Sequence, residues 1–221
     1  CRCGRVAGNQ AGQNGTTVAL VAMKIHVVTE GKLEVPVAKR LIAFCGHSRG
    51  TIYPVRGFGN IGKAAGTYAC LADDETAVLV LTDFMDSKSP CPVAAKKNYL
   101  GKRAASVHQN FLLRFAVNEL ESWLLADHDN FARLLGVRAD KIASQPDMLP
   151  DPKRHIAELA RLSPQKAIKA DLISATGRQG RLYLPKMEKF INETWDIEAA
   201  MRRSPSLNRC VARLRSLNAA P

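Results

Sequence analysis

The stretch AVLVLTD at residues 77–83 decides the fold of this 221-residue chain. Its first five residues are all apolar and do not alternate with polar side chains. Such a run is typical of a central strand in a parallel sheet, which is buried on both faces. The run ends at Thr82 and Asp83, so the carboxyl end of this predicted strand carries an acidic side chain.

Further strands and helices are predicted on either side of this run. KIHVVT at 24–29 is apolar and β-branched, and the stretch 34–44 that follows has apolar residues at helical spacing. FLLRFAV at 111–117 is interpreted as another core strand, although its pattern also fits the start of a helix that continues to Asp127. Alternating strands and helices predict an α/β fold, a parallel sheet with flanking helices.

Acidic residues occur in pairs beside the ends of the predicted strands. The pairs are Glu30 and Glu34, Asp83 and Asp86, and Glu119 and Glu121. Carboxylates that meet at one sheet edge repel one another unless a cation neutralises them, and their oxygens suit Mg²⁺ or Mn²⁺. Two such ions could hold the attacking and leaving oxygens of a phosphodiester. The alternative is that Glu34, Asp83 and Asp86 cap helices and that the last two glutamates are solvated.

Two of these acidic segments resemble the Toprim fold of topoisomerases, primases and OLD-family nucleases. They are TEGKLE at 29–34 and TDFMD at 82–86. The resemblance implies a Toprim-like parallel sheet, in which Glu30 and Asp83 are catalytic and Glu30, Glu34 and Asp83 bind metal. Lys32, between the two glutamates, is also predicted to be catalytic, because its charge would offset the charge that develops on the phosphate. Met85 stands where the second aspartate of a DxD motif would be, and the acid follows one residue later at Asp86.

Most of the chain from Met23 onward is similar to a Toprim-like family called domain of unknown function 4276. GFGNIGK at 57–63 and NELESWLLAD at 118–127 carry this resemblance. It implies that Glu119 and Glu121 belong to the metal site. It also implies a bacterial Mg²⁺-dependent nuclease that acts beside an AAA or SMC-type ATPase, in defence against phage. A non-catalytic module that binds nucleic acid or an ATPase is the alternative, and nucleotidyl transfer is a second one.

The glycine-rich segment at 57–63 is predicted to bind a phosphate of the substrate. Backbone amides of such a turn, together with basic side chains, can hold phosphate oxygens. The predicted residues are Arg56, Gly57, Gly59, Gly62 and Lys63. Ala64 follows where an ATP-binding loop has Ser or Thr, which argues against a P-loop ATPase.

The chain is predicted to consist of a leading segment, an α/β domain, a linker and a helical region. Residues 1–22 are rich in Gly, Asn, Gln and Thr and are expected to be disordered or non-native. The Toprim-like domain is expected at 23–137 and a Pro-rich linker at 138–152. A basic helical region is expected at 153–221, with helices predicted at 153–163, 165–173, 186–202 and 206–217.

Composition excludes several classes of protein and favours a polyanionic partner. The formal charge is +12, with 32 Lys and Arg against 20 Asp and Glu, which is typical of chains that bind nucleic acid. No apolar run approaches the roughly 20 residues needed to cross a bilayer. The six cysteines have no zinc spacing and are interpreted as reduced thiols in a cytoplasmic protein.

Overall fold

A four-stranded parallel sheet forms the centre of the molecule, which the computed structural model describes over residues 22–55 and 60–218. Its strands are β1 (Lys24–Thr29), β2 (Ser48–Pro54), β3 (Thr76–Asp83) and β4 (Phe111–Ala116). They lie in the order β2-β1-β3-β4, and every neighbouring pair is parallel. The predicted α/β fold is therefore confirmed, and the arrangement is consistent with a Toprim-like sheet.

Helices flank the sheet and make up the region that follows β4. Three lie between the strands: α1 (Glu34–Phe44), α2 (Asn60–Tyr68) and α3 (Pro92–Leu100). Those after β4 are α4 (Glu121–Leu125), α5 (His128–Leu135), α6 (Pro152–Leu162), α7 (Lys166–Leu172), α8 (Tyr183–Glu193), α9 (Ile197–Met201) and α10 (Pro205–Arg215). The predicted helical C-terminal region is confirmed.

The structure differs from the sequence prediction at two elements. Residues 48–54 form β2, an edge strand with only intermediate and exposed positions, which ends at Pro54. Proline is tolerated there because an edge strand has one side without a partner. The helix predicted at 186–202 is two helices, since the Asp196 side chain accepts a hydrogen bond from the Ala199 amide and begins α9.

The two faces of the sheet bury two different cores. The larger core contains β1, α1 and the C-terminal helices, with Trp123 and Trp195 almost completely buried. The smaller one packs α2 and α3 against the opposite face through residues such as Ile61 and Val80. Since β3 contributes Leu79 to the first core and Val80 to the second, both of its faces are buried, as the apolar run predicted.

The strand order places a topological switch point between β1 and β3. The chain leaves β1 through α1 on one face to reach β2, and then passes through α2 on the other face to reach β3. In open α/β sheets, ligands bind outside the carboxyl ends of the strands at this point. Thr29 and Asp83 are the last residues of the two strands, so they mark the expected position of a site.

The C-terminal helices are attached to the sheet region by hydrogen bonds as well as by the shared core. Arg40 in α1 donates to the carbonyl oxygens of Ile191 (3.1 Å) and Trp195 (3.3 Å) at the end of α8. The Trp123 indole donates to Ser206 Oγ at 2.6 Å. A cation at a helix C-terminus is electrostatically favourable, so Arg40 stabilises the junction of α1 and α8.

Asp147, within the segment predicted as a linker, is also buried. It accepts hydrogen bonds from Ser204 Oγ (2.7 Å), the Ser206 amide (2.9 Å) and Ser122 Oγ (3.3 Å). These contacts join α4 to the start of α10. Residues 138–152 therefore contribute a buried polar group to the interior.

No helix in the described part of the chain is both long and apolar enough to span a bilayer. The described cysteines, Cys45, Cys70, Cys91 and Cys210, are free thiols. Residues 1–21, which make up nearly all of the predicted N-terminal extension, lie outside the described residues.

Candidate functional site

A cavity of 320 Å³ opens at the carboxyl ends of β1 and β3, where the strand order predicts a site. Its acidic lining residues are Glu30, Glu34, Asp83 and Glu121. The other lining residues are Gly31, Lys32, Leu33, Thr82, Leu120, Lys153, Gln179 and Leu184. Four of the six predicted metal-binding acids thus share one cavity, which we call the acidic cavity.

The turn after β1 brings Glu34 close to the backbone. Glu34 is the first residue of α1 and is only 8% exposed. A Cβ atom on Gly31 would lie 2.5 Å from one carboxylate oxygen of Glu34 and 2.8 Å from the other. Glycine at this position therefore allows the carboxylate to occupy the cavity wall, beside Glu30 and the exposed Lys32.

Asp83 connects the end of β3 to the beginning of α4. Its Oδ1 accepts a hydrogen bond from the Leu120 amide at 2.8 Å. Burial raises the pKa of Asp83 from 3.8 to about 8, since the opposing attraction of Lys153 is outweighed and Glu121 and Glu34 raise it further. A buried carboxyl with such a pKa in a cleft is characteristic of functional sites.

Lys153 places one ammonium group among three carboxylates. Its Nζ lies 2.8 Å from Glu119, 3.4 Å from Asp83 and 3.5 Å from Glu121. The Lys153 backbone amide also donates to Glu119, at 2.9 Å. Burial by itself lowers the pKa of Lys153, but the three carboxylates outweigh it and raise the pKa above its usual value. The lysine is therefore a permanent cation in this cluster.

Glu121 is the most deeply buried of these acids, at 1% exposure. Burial raises its pKa from 4.5 to about 7, against the lowering effect of Lys153, and Glu119 raises it further. The Tyr183 hydroxyl donates to its carboxylate at 3.1 Å. Burial and the nearby carboxylates raise the pKa of Tyr183 well above 10, so the phenol remains a donor.

The two remaining predicted metal ligands lie apart from this lining. Glu119 contacts Lys153 from the neighbouring cavity, so the two glutamates of the ELE segment reach one ammonium from different sides. Asp86 belongs to a short 3-10 turn (Met85–Ser87) after β3, and its side chain is not among those the structure describes.

The predicted phosphate-binding residues lie partly outside the described residues. Arg56, Gly57 and Gly59 fall in the undescribed segment 56–59. Gly62 and Lys63 lie in α2, where Lys63 is exposed and a Cβ on Gly62 would lie 3.0 Å from the Tyr99 ring. Gly62 thus allows α2 to pack closely against α3, and neither residue lines the acidic cavity.

Sequence reasoning missed the residues that the C-terminal region contributes: Lys153, Gln179, Leu184 and Tyr183. One feature of the sequence could have indicated that Lys153 contacts an acidic residue. Lys153 follows Asp151-Pro152, a typical helix start, and a cation in the first helical turn is disfavoured by the helix dipole. A nearby acid offsets this cost, and Glu119 supplies one.

The donor arrangement can be compared directly with what a metal ion needs. Within residues 22–55 and 60–218, no group of three or more His, Cys, Asp or Glu side chains is arranged to hold a metal ion. The cation that stands among Asp83, Glu119 and Glu121 is the Lys153 ammonium. The donors are of the type that Mg²⁺ prefers, but their present arrangement is organised around lysine.

Comparison with known families identifies the chain. The model of a family described as "Domain of unknown function (DUF4276)" matches residues 31–215. The chain belongs to this family. The match extends from the Gly31 turn through α10, so it includes Glu34, the end of β3 and the C-terminal segments that supply Lys153 and Gln179, while β1 and Glu30 precede it. No curated protein and no solved structure matches the chain.

Proposed function

We propose that the acidic cavity hydrolyses phosphodiester bonds of DNA or RNA with Mg²⁺ or Mn²⁺ as cofactor. The observation that carries this proposal is the excess of acidic groups over cations at the topological switch point. Among the described residues, four acidic side chains line the acidic cavity, and the carboxylates of Asp83, Glu119 and Glu121 lie within 4 Å of the Lys153 ammonium. One ammonium does not neutralise three carboxylates, so the cluster must keep protons or take up another cation.

The wall of the cavity offers a further polar group. Thr82 is 1% exposed, and within the described residues its Oγ1 has no hydrogen-bond partner. Buried hydroxyls are normally satisfied, so an unsatisfied one at a cavity wall favours a ligand or water there. The hydroxyl and the carboxylates together provide oxygen donors, which suit a hard divalent cation.

The proposed metal ligands are Glu30, Glu34, Asp83 and Asp86, with Glu121 completing the set. A bound Mg²⁺ or Mn²⁺ ion would supply charge stabilisation for the phosphate. Since Lys153 now occupies the space between Asp83 and Glu121, metal binding would require its ammonium to withdraw toward Glu119, which it already contacts at 2.8 Å. The lysine and a divalent cation are therefore expected to compete.

The chain's own residues would bind and neutralise the substrate. Lys32, exposed at the cavity rim, is placed to contact a phosphate oxygen and to offset its negative charge. Without metal, burial raises the pKa of Asp83 to about 8, and as a metal ligand its carboxylate would release that proton. The catalytic roles of Glu30 and Asp83 follow the resemblance to Toprim nucleases, and that of Lys32 follows from its charge.

The proposed function includes a nucleic-acid substrate and an ATPase partner. The formal charge of +12 favours nucleic acid as substrate. An AAA or SMC-type ATPase as partner, in bacterial defence against phage, rests on the family resemblance alone. Free thiols at the described cysteines favour the cytoplasm as the place of action.

The test is a calorimetric titration of the full chain with Mn²⁺, alongside the variant Asp83→Asn. Asp140→Asn, which makes the same change at an exposed carboxylate paired with Arg138, is the matched control. We expect specific Mn²⁺ binding in the wild type and the control, and its loss in Asp83→Asn. Cleavage would then be assayed on single- and double-stranded DNA and RNA. Absence of binding at millimolar Mn²⁺ would overturn the proposal.

A non-catalytic module that binds nucleic acid or an ATPase is the second candidate. The contacts of Lys153 favour it, because an internal ammonium satisfies part of the acidic cluster without any metal. In such a module the carboxylates would only stabilise the fold. Asp83→Asn would then leave nucleic-acid and partner binding unchanged, and neither the wild type nor any variant would cleave nucleic acid.

A further inference from the structure

A second cavity, of 520 Å³, adjoins the acidic cavity. The two share Lys153 and Gln179 as lining residues. The second cavity is bounded by α6 and by the loop between α7 and α8, and its basic residues, besides Lys153, are Arg154, Arg161 and Arg178. We call it the basic cavity.

The acids that line the basic cavity are already engaged. Glu119 is paired with Lys153, and Glu158 is paired with Arg154 at 3.0 Å. Asp151 accepts a hydrogen bond from the Arg154 amide and begins α6. Within the described chain, neither Arg161 nor Arg178 has a carboxylate within 4 Å. With four basic and three acidic side chains, the lining has a net positive charge, and two of its guanidinium groups form no ion pair with a described carboxylate.

The loop that carries Arg178 is held in a defined conformation. Ile173 and Gln179 form an antiparallel bridge, and Ser174 Oγ accepts a hydrogen bond from the Arg178 amide at 3.1 Å. Gly177 has a φ of +78°, which L side chains rarely adopt, and it makes the turn possible. The loop therefore fixes the backbone of Arg178 and Gln179 at the cavity wall.

Arg161 is positioned by this same loop. Its Nη2 donates to the Gly177 carbonyl oxygen at 3.0 Å. One donor of the guanidinium is used in this bond, and the remaining donors stay available in a fixed orientation. A preorganised arginine loses less conformational entropy when it binds an anion, and its planar fork fits phosphate oxygens.

We propose that the basic cavity binds a backbone phosphate of a nucleic-acid strand, adjacent to the phosphodiester that lies in the acidic cavity. This inference rests on the proposed function, since it assigns the substrate's path beside that same site. Arg161 and Arg178 hold the phosphate by charge-assisted hydrogen bonds. Gln179 and Lys153 line both cavities, so the strand crosses from one to the other at these residues.

The experiment measures binding of a fluorescein-labelled oligothymidylate to the full chain by anisotropy, in EDTA so that no cleavage occurs. Arg161→Gln and Arg178→Gln are each expected to weaken binding about fivefold, and to lower the salt dependence by roughly one counterion each. Arg138→Gln is the control, because it removes the same charge at an exposed residue that lines neither cavity. It should stay within about twofold of wild type.

Equal affinity and salt dependence in the Arg161→Gln/Arg178→Gln double variant and in Arg138→Gln would overturn the assignment. Inorganic phosphate is the second probe. If it displaced the oligonucleotide as well as an unlabelled strand does at equal phosphate concentration, the occupant would be a small phosphate compound, and the strand assignment would be wrong.

The same experiment separates this inference from the proposed function. Binding in EDTA needs no metal, so strand affinity can be measured whether or not the protein binds Mn²⁺ or cleaves its substrate. If the protein bound no Mn²⁺ but the arginine variants lost strand affinity, phosphate binding in the basic cavity would stand and only the metal-dependent activity would be overturned. If the protein bound Mn²⁺ but the arginine variants kept full strand affinity, only phosphate binding in the basic cavity would be overturned.

Discussion

The acidic cavity and the basic cavity lie side by side but hold their charges differently. The carboxyl groups of Asp83 and Glu121 are almost fully buried, and burial raises both pKa values toward or above neutrality. Arg161 and Arg178 instead stand at the wall of an open cavity without acidic partners. Groups with altered proton affinity suit chemistry, and solvated arginines suit binding. Under the proposed function, we therefore expect reaction in the first cavity and substrate positioning in the second.

The largest expected effect is a split between kcat and KM. Asp83→Asn should lower kcat for oligonucleotide cleavage at least about 100-fold with little change in KM, because it alters the group at the reaction. Arg178→Gln should raise KM about fivefold and leave kcat within about twofold, because it removes binding that is equal in ground and transition states. Steady-state kinetics in Mn²⁺ measures both.

Two controls accompany this comparison. Asp140→Asn and Arg138→Gln carry the same chemical changes at an exposed pair outside both cavities and should match wild type. If Asp83→Asn and Arg178→Gln changed the same kinetic parameter, the proposal that one cavity carries the reaction and the other binds the substrate would be wrong.

The next effect concerns Lys153, which belongs to both cavities. Lys153→Met leaves three carboxylates without their ammonium, and we expect the free energy of unfolding to fall by about 2 kcal/mol at pH 8. The same variant should bind Mn²⁺ more tightly, since the competing cation is gone. Urea unfolding and calorimetry measure the two effects.

Lys186→Met is the matched control for this variant. Lys186 is 33% exposed, close to the 37% of Lys153, but it pairs with the single carboxylate of Asp171 at 3.0 Å. Its loss should cost less than about 1 kcal/mol and leave Mn²⁺ affinity unchanged. Weaker Mn²⁺ binding in Lys153→Met would contradict competition between lysine and metal.

The free energy of unfolding is also expected to depend on pH. The pKa of Asp83 is about 8 and that of Glu121 about 7, against ordinary values of 3.8 and 4.5. The folded state therefore binds these protons more tightly than the unfolded state, and the free energy of unfolding must fall as pH rises from about 4 to about 8. We expect a decrease of several kcal/mol between pH 5 and pH 8, because each unit of pKa shift contributes about 1.4 kcal/mol.

Urea unfolding at both pH values measures this decrease. In Asp83→Asn the free energy of unfolding should fall less steeply with pH, because the amide does not titrate. A profile of the same steepness in wild type and Asp83→Asn would show that the raised pKa of Asp83 does not govern the stability of the acidic cavity.

The smallest effect on stability is expected at Gly31. A Cβ there would meet only the flexible end of Glu34, so Gly31→Ala should change the free energy of unfolding by less than about 0.5 kcal/mol. It should nevertheless displace the Glu34 carboxylate and weaken Mn²⁺ binding. Gly66→Ala is the control, since its Cβ would likewise meet a flexible side-chain end, Arg103 Nη1 at 2.9 Å, away from the acidic cavity. Unchanged Mn²⁺ affinity in Gly31→Ala would remove Glu34 from the metal site.

Local sequence patterns predicted the buried strands of the sheet correctly. The apolar run at 77–81 and the β-branched stretch at 24–29 became β3 and β1, because burial of both strands requires apolar side chains. The edge strand β2 was missed because half-exposed positions leave no apolar run. The helix predicted at 186–202 was too long because the cap at Asp196 was not recognised.

The candidate site was predictable only where its residues follow the strands. Glu30, Glu34 and Asp83 are placed by the parallel sheet, whose strand ends meet at one edge. Lys153 and Gln179 come from helices and a loop more than 60 residues later, and long-range packing brings them to the cavity. Neither spacing nor periodicity encodes that contact.

The buried carboxylate of Asp147 has a consequence for how the protein can be handled. Its hydrogen bonds reach Ser122 on one side and Ser204 and Ser206 on the other, while the neighbouring Met148 is exposed. A chain cut after residue 148 would keep this junction and the large shared core intact. Two separately expressed fragments should therefore reassemble, and the sheet half and the helix half could each be isotope-labelled alone for spectroscopy of the assembled cavities.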